Sequence, residues 1–162
     1  MDLDELDRRL LGLLVAEPRA GVREYARRLS VARGTAQARI DKLVAAGVVA
    51  DWAPTLDPAG LGYPLSAFVH VHLAQARLDS TCEGLARVPE VLEVVSVAGE
   101  FDLVCRVVAR DHAHLEEVFA EIIRTEGVLR TRTEIVLTRR VGPRVAQLVR
   151  ARPSGEAARD GG

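Results

Sequence analysis

The stretch RAGVREYARRLSVARGTAQARIDKLVAAGVV, residues 19–49, decides the fold of the first part of the chain, because two short helices and a tight turn account for it. From Val22 to Leu29 the residues Val22, Tyr25, Ala26 and Leu29 recur at helical spacing, and the arginines fall largely on the other face. From about Arg33 to Ala46 a second inward stripe is formed by Ala36, Ile40, Leu43 and Val44, and Gly47 suits a left-handed cap. Between Arg19 and Lys42 seven basic residues stand against Glu24 and Asp41, a local charge of +5 in a chain whose net charge is −1. Such a basic segment is the electrostatic footprint of a surface that neutralises phosphates.

Working outward, Leu3 to Glu17 places Leu3, Leu6, Leu10, Leu11, Leu13 and Leu14 at helical spacing, with acids at the start where a helix N-terminus favours negative charge, and Pro18 ends the helix. Three helices within residues 1–52 predict a helix-turn-helix, winged-helix-like domain. The punctuated DPAGLGYP marks a hinge over residues 53–64. LSAFVHVHLAQA then alternates, with Phe68, His70 and His72 on one face and Val69, Val71 and Leu73 on the other, as a strand does. A helix over Ser80–Val88, strands over Val91–Ala98 and Phe101–Ala109, a helix over Ala113–Thr125 and a strand over Val128–Thr138 complete βαββαβ order. Residues 65–141 therefore read as a ferredoxin-like domain and the whole chain as α+β. Helices cover one face of that sheet, and the other is expected to be rich in Val and Leu and to be buried by dimerisation. Residues 142–162 read as a tail, helical at its start and frayed beyond.

Composition narrows the classes. Hydrophobic content of 48% excludes a disordered chain. No apolar run approaches the roughly 20 residues of a membrane span, and the acidic MDLDELDRRLL lacks the features of a signal peptide, so a cytoplasmic protein without a membrane partner is expected. Cys82 and Cys105 have no CxxC spacing, which argues against a disulfide scaffold or zinc site. Charge is segregated: residues 57–138 carry −6 and residues 139–162 carry +4. No P-loop, dinucleotide fingerprint or Ser-His-Asp spacing is present, so no cofactor and no catalytic residues are assigned.

In a helix-turn-helix the second helix enters the major groove. The positions exposed on it here are Arg33, Gly34, Thr35, Gln37, Ala38 and Arg39. Arg33 and Gln37 suit base edges, whereas Arg19, Arg39 and Lys42 suit phosphates, making double-stranded DNA the expected partner. His70 with His72 points two rings to one strand face, but without clustered carboxylates or cysteines the pair reads as interface packing, not metal ligation.

Five segments in order resemble the Lrp/AsnC family of transcription regulators: LDELDRRLL (3–11), EYARRLSVARGTAQARIDKLVAAGVV (24–49), LDPAGLGYPLSAFV (56–69), GEFDLVCRV (99–107) and GVLRTRTEIVL (127–137). The resemblance covers residues 2 to about 140. It implies a regulator whose DNA binding or assembly responds to a small molecule, chiefly an amino acid, and which forms homodimers assembling to tetramers or octamers. It places the effector near the turn Gly99, Glu100, Phe101 and Asp102, to which Thr131 and Thr133 on the last strand would add hydroxyls. The chain departs from the family where Gly is usual in the turn, at Ser30, and where a Ser-Pro usually starts the recognition helix, at Ala32-Arg33. An alternative on the same architecture is a sirohaem-decarboxylase-like tetrapyrrole enzyme, which the histidines favour and the basic helix opposes.

Overall fold

Asp4 starts the first helix, α1 (Glu5–Ala16): its carboxylate accepts from Asp7 N at 2.8 Å, and the Asp7 carboxylate accepts in turn from Asp4 N at 3.3 Å. The computed structural model, which describes residues 2–74 and 77–150, continues with α2 (Val22–Leu29) and α3 (Arg33–Ala45). These helices share a core of Leu10, Leu11, Leu14, Tyr25, Leu29, Ile40 and Leu43. Tyr25 also donates its hydroxyl to Glu17 O at 2.7 Å, fixing the chain reversal before α2.

The chain forms two units, residues 54–140 and the segments on either side of them. Within the first unit a short helix, α6 (Ala146–Arg150), packs on α1, and Val149 joins the α1–α3 core. The helical start of the tail is thus a separate element of this unit; its expected frayed end, from residue 151, lies outside the described residues.

The second unit begins with a single 3-10 turn, Ala59–Leu61, and then β1 (Leu65–Leu73), α4 (Leu78–Leu85), β2 (Val91–Ser96), β3 (Leu103–Ala109), α5 (His112–Arg124) and β4 (Val128–Ile135). The strands form an antiparallel sheet in the order β2-β3-β1-β4. Val69 pairs with Cys105 and Val71 with Leu103, so the apolar positions of neighbouring strands share a face. That face packs against Leu85 of α4 and Leu115, Val118 and Ile122 of α5, all buried. The opposite face is only in part the Val- and Leu-rich surface expected: β2 and β3 give it Val95, Val104 and Val108, but β1 and β4 make it polar and basic. Its β1 positions are Ser66, Phe68, His70 and His72, and the register places Arg106 opposite Phe68, Arg132 opposite His70 and Arg130 opposite His72. The period of two in LRTRTE turns every second residue outward, and those residues are arginine and glutamate.

Candidate DNA-binding face and effector site

In α3 the buried residues Ala36, Ile40 and Leu43 fix which side of the helix looks outward. Gly34, Thr35, Ala38, Arg39 and Lys42 together line one shallow, open depression on that side. Gly34 and Ala38 leave its floor without bulk, so an opposing backbone can approach closely. Gln37 does not line it. Its side chain donates to Asp41 Oδ1 at 2.8 Å and both residues line a neighbouring recess with Pro18, Gly21 and Tyr25. Arg33, at the first helical position, and Arg19, ahead of α2, are exposed.

The fold neutralises much of the basic segment. Arg39 pairs with Asp4 and, at 2.9 Å, with Asp7, while Lys42 Nζ lies 3.2 Å from Asp7. Asp7 is completely buried; burial pushes its carboxyl up, but hydrogen bonds from Arg39 and Lys42 outweigh this and hold it below the usual carboxylate range. Arg39 likewise lowers Asp4. On α2, Arg27 and Arg28 both grip Glu24, bringing its carboxyl down to about 2, and Arg28 also reaches Glu17 at 2.5 Å. Asp4, Asp7 and Glu17 therefore offset three of the five charges read from the linear segment. Sequence reading missed this because those acids lie on α1 and at its two caps, outside the segment counted.

The start of α3 matches its sequence. Ala32 occupies the N-cap position with extended backbone and no side-chain hydrogen bond, and Ser30, the C-cap of α2, holds the left-handed conformation at φ 56°.

In the second unit, the turn between β2 and β3 carries Gly99, Glu100, Phe101 and Asp102. Gly99 adopts φ 151°, where a side chain would be strained. Asp102 Oδ2 accepts from Leu73 N at 2.8 Å, and Asp102 N donates to Val71 O at 3.0 Å, so the turn closes onto the end of β1. The sequence placed Phe101 within the strand; these bonds instead start β3 at Leu103. Phe101 is only 6% exposed. Its ring stacks on His72 at 4.5 Å between centroids and lies 5.2 Å from His70. The guanidiniums of Arg130 and Arg132 lie 5.7 and 5.0 Å from its centroid, within cation–π range. Arg130 also bonds Glu100 and His72, each at 3.1 Å.

Thr131 and Thr133 are not brought to this cluster. They pair with Val71 and Val69 and so lie on the helix-covered face, the side opposite Arg130 and Arg132. His70, His72, Arg130 and Arg132 were missing from the effector residues read in the sequence; the alternation of β1 and β4 was the signal that could have found them. Of the other HxH pair, His114 is buried, accepting from Arg110 N and facing Glu90 at 3.3 Å.

Residues 3–44 match the AsnC-type helix-turn-helix domain and residues 66–145 the Lrp/AsnC ligand binding domain. An uncharacterized HTH-type transcriptional regulator of Pyrococcus horikoshii is 34% identical over 137 residues, covering 84% of this chain and 87% of that protein. The regulator FL11 of the same organism is 31% identical over 135 residues, covering 83% and 89%. Among solved structures, Escherichia coli AsnC aligns with a TM-score of 0.83 at 26% identity, covering 90% of this chain and 99% of that one. The feast or famine regulatory protein of Mycobacterium tuberculosis, complexed with L-methionine, aligns at 0.79 and 33% identity, covering 89% and 98%. These relatives are regulators, which disfavours the tetrapyrrole-enzyme alternative, and among the described residues no helix is long and apolar enough to cross a membrane. With its basic second helix, four-stranded sheet and both family domains in order, the chain belongs to the Lrp/AsnC family of helix-turn-helix, DNA-binding transcription regulators.

Proposed function

We propose that the protein binds paired DNA half-sites as a homodimer, and as higher assemblies of dimers, under control of a small amino acid held near the Gly99–Asp102 turn. The observation that carries the DNA reading is the shallow outward face of α3, where Gly34, Thr35, Ala38, Arg39 and Lys42 converge. Arg33 and Thr35 reach base edges, Arg19, Arg39 and Lys42 meet phosphates, and Gly34 and Ala38 admit the groove wall. Gln37 contacts bases together with Asp41, so the pair offers carbonyl and carboxylate acceptors suited to the exocyclic amino groups of cytosine or adenine.

The cluster around Phe101 supports the effector reading: arginines for a carboxylate, Glu100 and Asp102 for an ammonium, and an aromatic floor. The related M. tuberculosis protein carries L-methionine. The open sheet face around Phe68 and the His-Arg rows, beyond the end lined by the Asp57 turn and Val136–Arg139, is the dimer surface. Effector binding then shifts the DNA-binding units by a coupling of about 1 to 3 kcal/mol.

Selection of bound fragments from genomic DNA, with and without pooled amino acids, tests both halves of this reading. Enriched sequences whose recovery changes with the pool are expected; no enrichment over random fragments would remove the DNA half. Arg33→Ala should broaden the recovered sequences, costing about 1 to 3 kcal/mol of discrimination at one position. Asp102→Arg, with its fold checked by circular dichroism, should abolish the amino-acid response, and an unchanged response would count against the turn.

A further inference from the structure

Among the described residues three buried side-chain atoms lack a hydrogen-bond partner: Ser66 Oγ, His70 Nε2 and Arg106 Nε. His70 at least faces Glu134, at 3.4 Å. Ser66 and Arg106 instead stand in the wall of one cavity of about 220 Å³, roughly seven times the volume a water molecule takes in the liquid. The cavity lies between the open face of the sheet and two covering segments, the turn residues from Asp57 and the run Val136–Arg139. It is not the Phe101 cluster: Ser66 pairs with Val108 at one end of β1, whereas the Gly99–Asp102 turn closes onto Val71 and Leu73 at the other.

The wall has a definite chemistry. Arg106 makes no ion pair among the described residues, unlike Arg77, Arg130 and Arg132 of the same unit. Arg139 adds a second cation, and the one acid, Asp57, already accepts from Ala59 N. Buried polar atoms are almost always partnered, by protein, water or ligand, and an anion in this cavity would satisfy both of these at once. The planar edge of a guanidinium matches two coplanar oxygens, a hydroxyl supplies a third donor, and Val108 and Val136 form an apolar wall for a short carbon chain.

We propose that this cavity is a second ligand site, for a small organic carboxylate held by Arg106 and Ser66 with Arg139 at its mouth. Because residues 57–64 lead into the sheet and residues 136–139 lead out of it, a bound carboxylate ties the entering and leaving segments of this unit together.

Titration calorimetry on the full chain with pyruvate, acetate and inorganic phosphate tests the site. Pyruvate and acetate should bind saturably and raise the melting temperature, and phosphate should bind at least about tenfold more weakly, since the oxygens left over after pairing with the guanidinium would lose water against Val108 and Val136. Arg106→Gln should abolish carboxylate binding, Ser66→Ala should weaken it about tenfold, the equivalent of one hydrogen bond to a charged group, and Asp102→Arg should leave it intact, separating this site from the effector turn. Should Arg106→Gln fail to fold, the exposed Arg139→Gln should still weaken binding severalfold. Absence of carboxylate binding to the native chain, or binding indifferent to Arg106, Ser66 and Arg139, overturns the proposal. So does an Arg106→Gln protein whose native assembly mass in solution changes while its carboxylate binding does not, since the orphaned groups would then belong to a second copy.

Discussion

Ser30 is the described non-glycine residue with positive φ, at 56°, and it stands in the turn that sets the angle between α2 and α3. A left-handed conformation costs an ordinary residue about 1 kcal/mol or more, which glycine avoids. Ser30→Gly should therefore stabilise the first unit by about 0.5 to 1 kcal/mol, read as a rise of several degrees in its melting temperature. A fall would mean that the serine makes up its strain elsewhere. Ala32→Ser should add about 1 kcal/mol, because the extended N-cap backbone is already in place and only the side-chain acceptor is lacking. Both positions were visible in the sequence as departures from the family pattern. Their backbone angles were not, since a serine is equally at home in several turn types.

At the scale of elements, α3 is tied to α1 by charge as well as by packing. Asp4 and Asp7 hold Arg39 and Lys42, so phosphates must compete for cations that α1 already engages. The carboxyls of Asp4, Asp7 and Glu24 all titrate lower in the folded unit than in an unfolded chain. Their contribution to stability is complete above the ordinary carboxylate range and is lost as pH falls through the lowered folded values, for Glu24 between about 4.5 and about 2. Acid titration followed by circular dichroism should show the helices of the first unit losing stability over that window. Asp7→Asn should flatten the acid limb and lower stability at neutral pH by about 2 kcal/mol, less than a fully buried ion pair because both cations are partly exposed. An unchanged acid limb would sink this assignment. The helical faces were legible from periodicity, and α2 has the bounds the sequence suggested. The latch was not, because Asp7 and Arg39 lie 32 residues apart and meet only once the helices cross.

Across the whole molecule, βαββαβ order was readable from alternating apolar runs and the turn Gly99–Asp102 from its resemblance, whereas the gathering of His70, His72, Arg130 and Arg132 round Phe101 was not, although alternation put each of them on an outward face. Only the register that sets Arg130 against His72 and Arg132 against His70 collects that cluster, and no local pattern encodes a register between distant strands. The last described helix also needed tertiary structure to interpret: α6 rejoins the first unit, where Val145, Leu148 and Val149 line a groove of about 490 Å³ with Leu11, Leu14 and Trp52. Truncation after Arg140 should destabilise the three-helix unit by about 1 to 2 kcal/mol, the burial of one or two apolar side chains, and leave the melting of the sheet unit unchanged. Trp52 fluorescence can follow the first unit alone. The topology also sets an order in time. During synthesis α1, α2 and α3 emerge first, but the surface of α1 that α6 covers stays bare until the entire sheet unit has been made, so the part of the molecule begun earliest is completed after the part inserted within it.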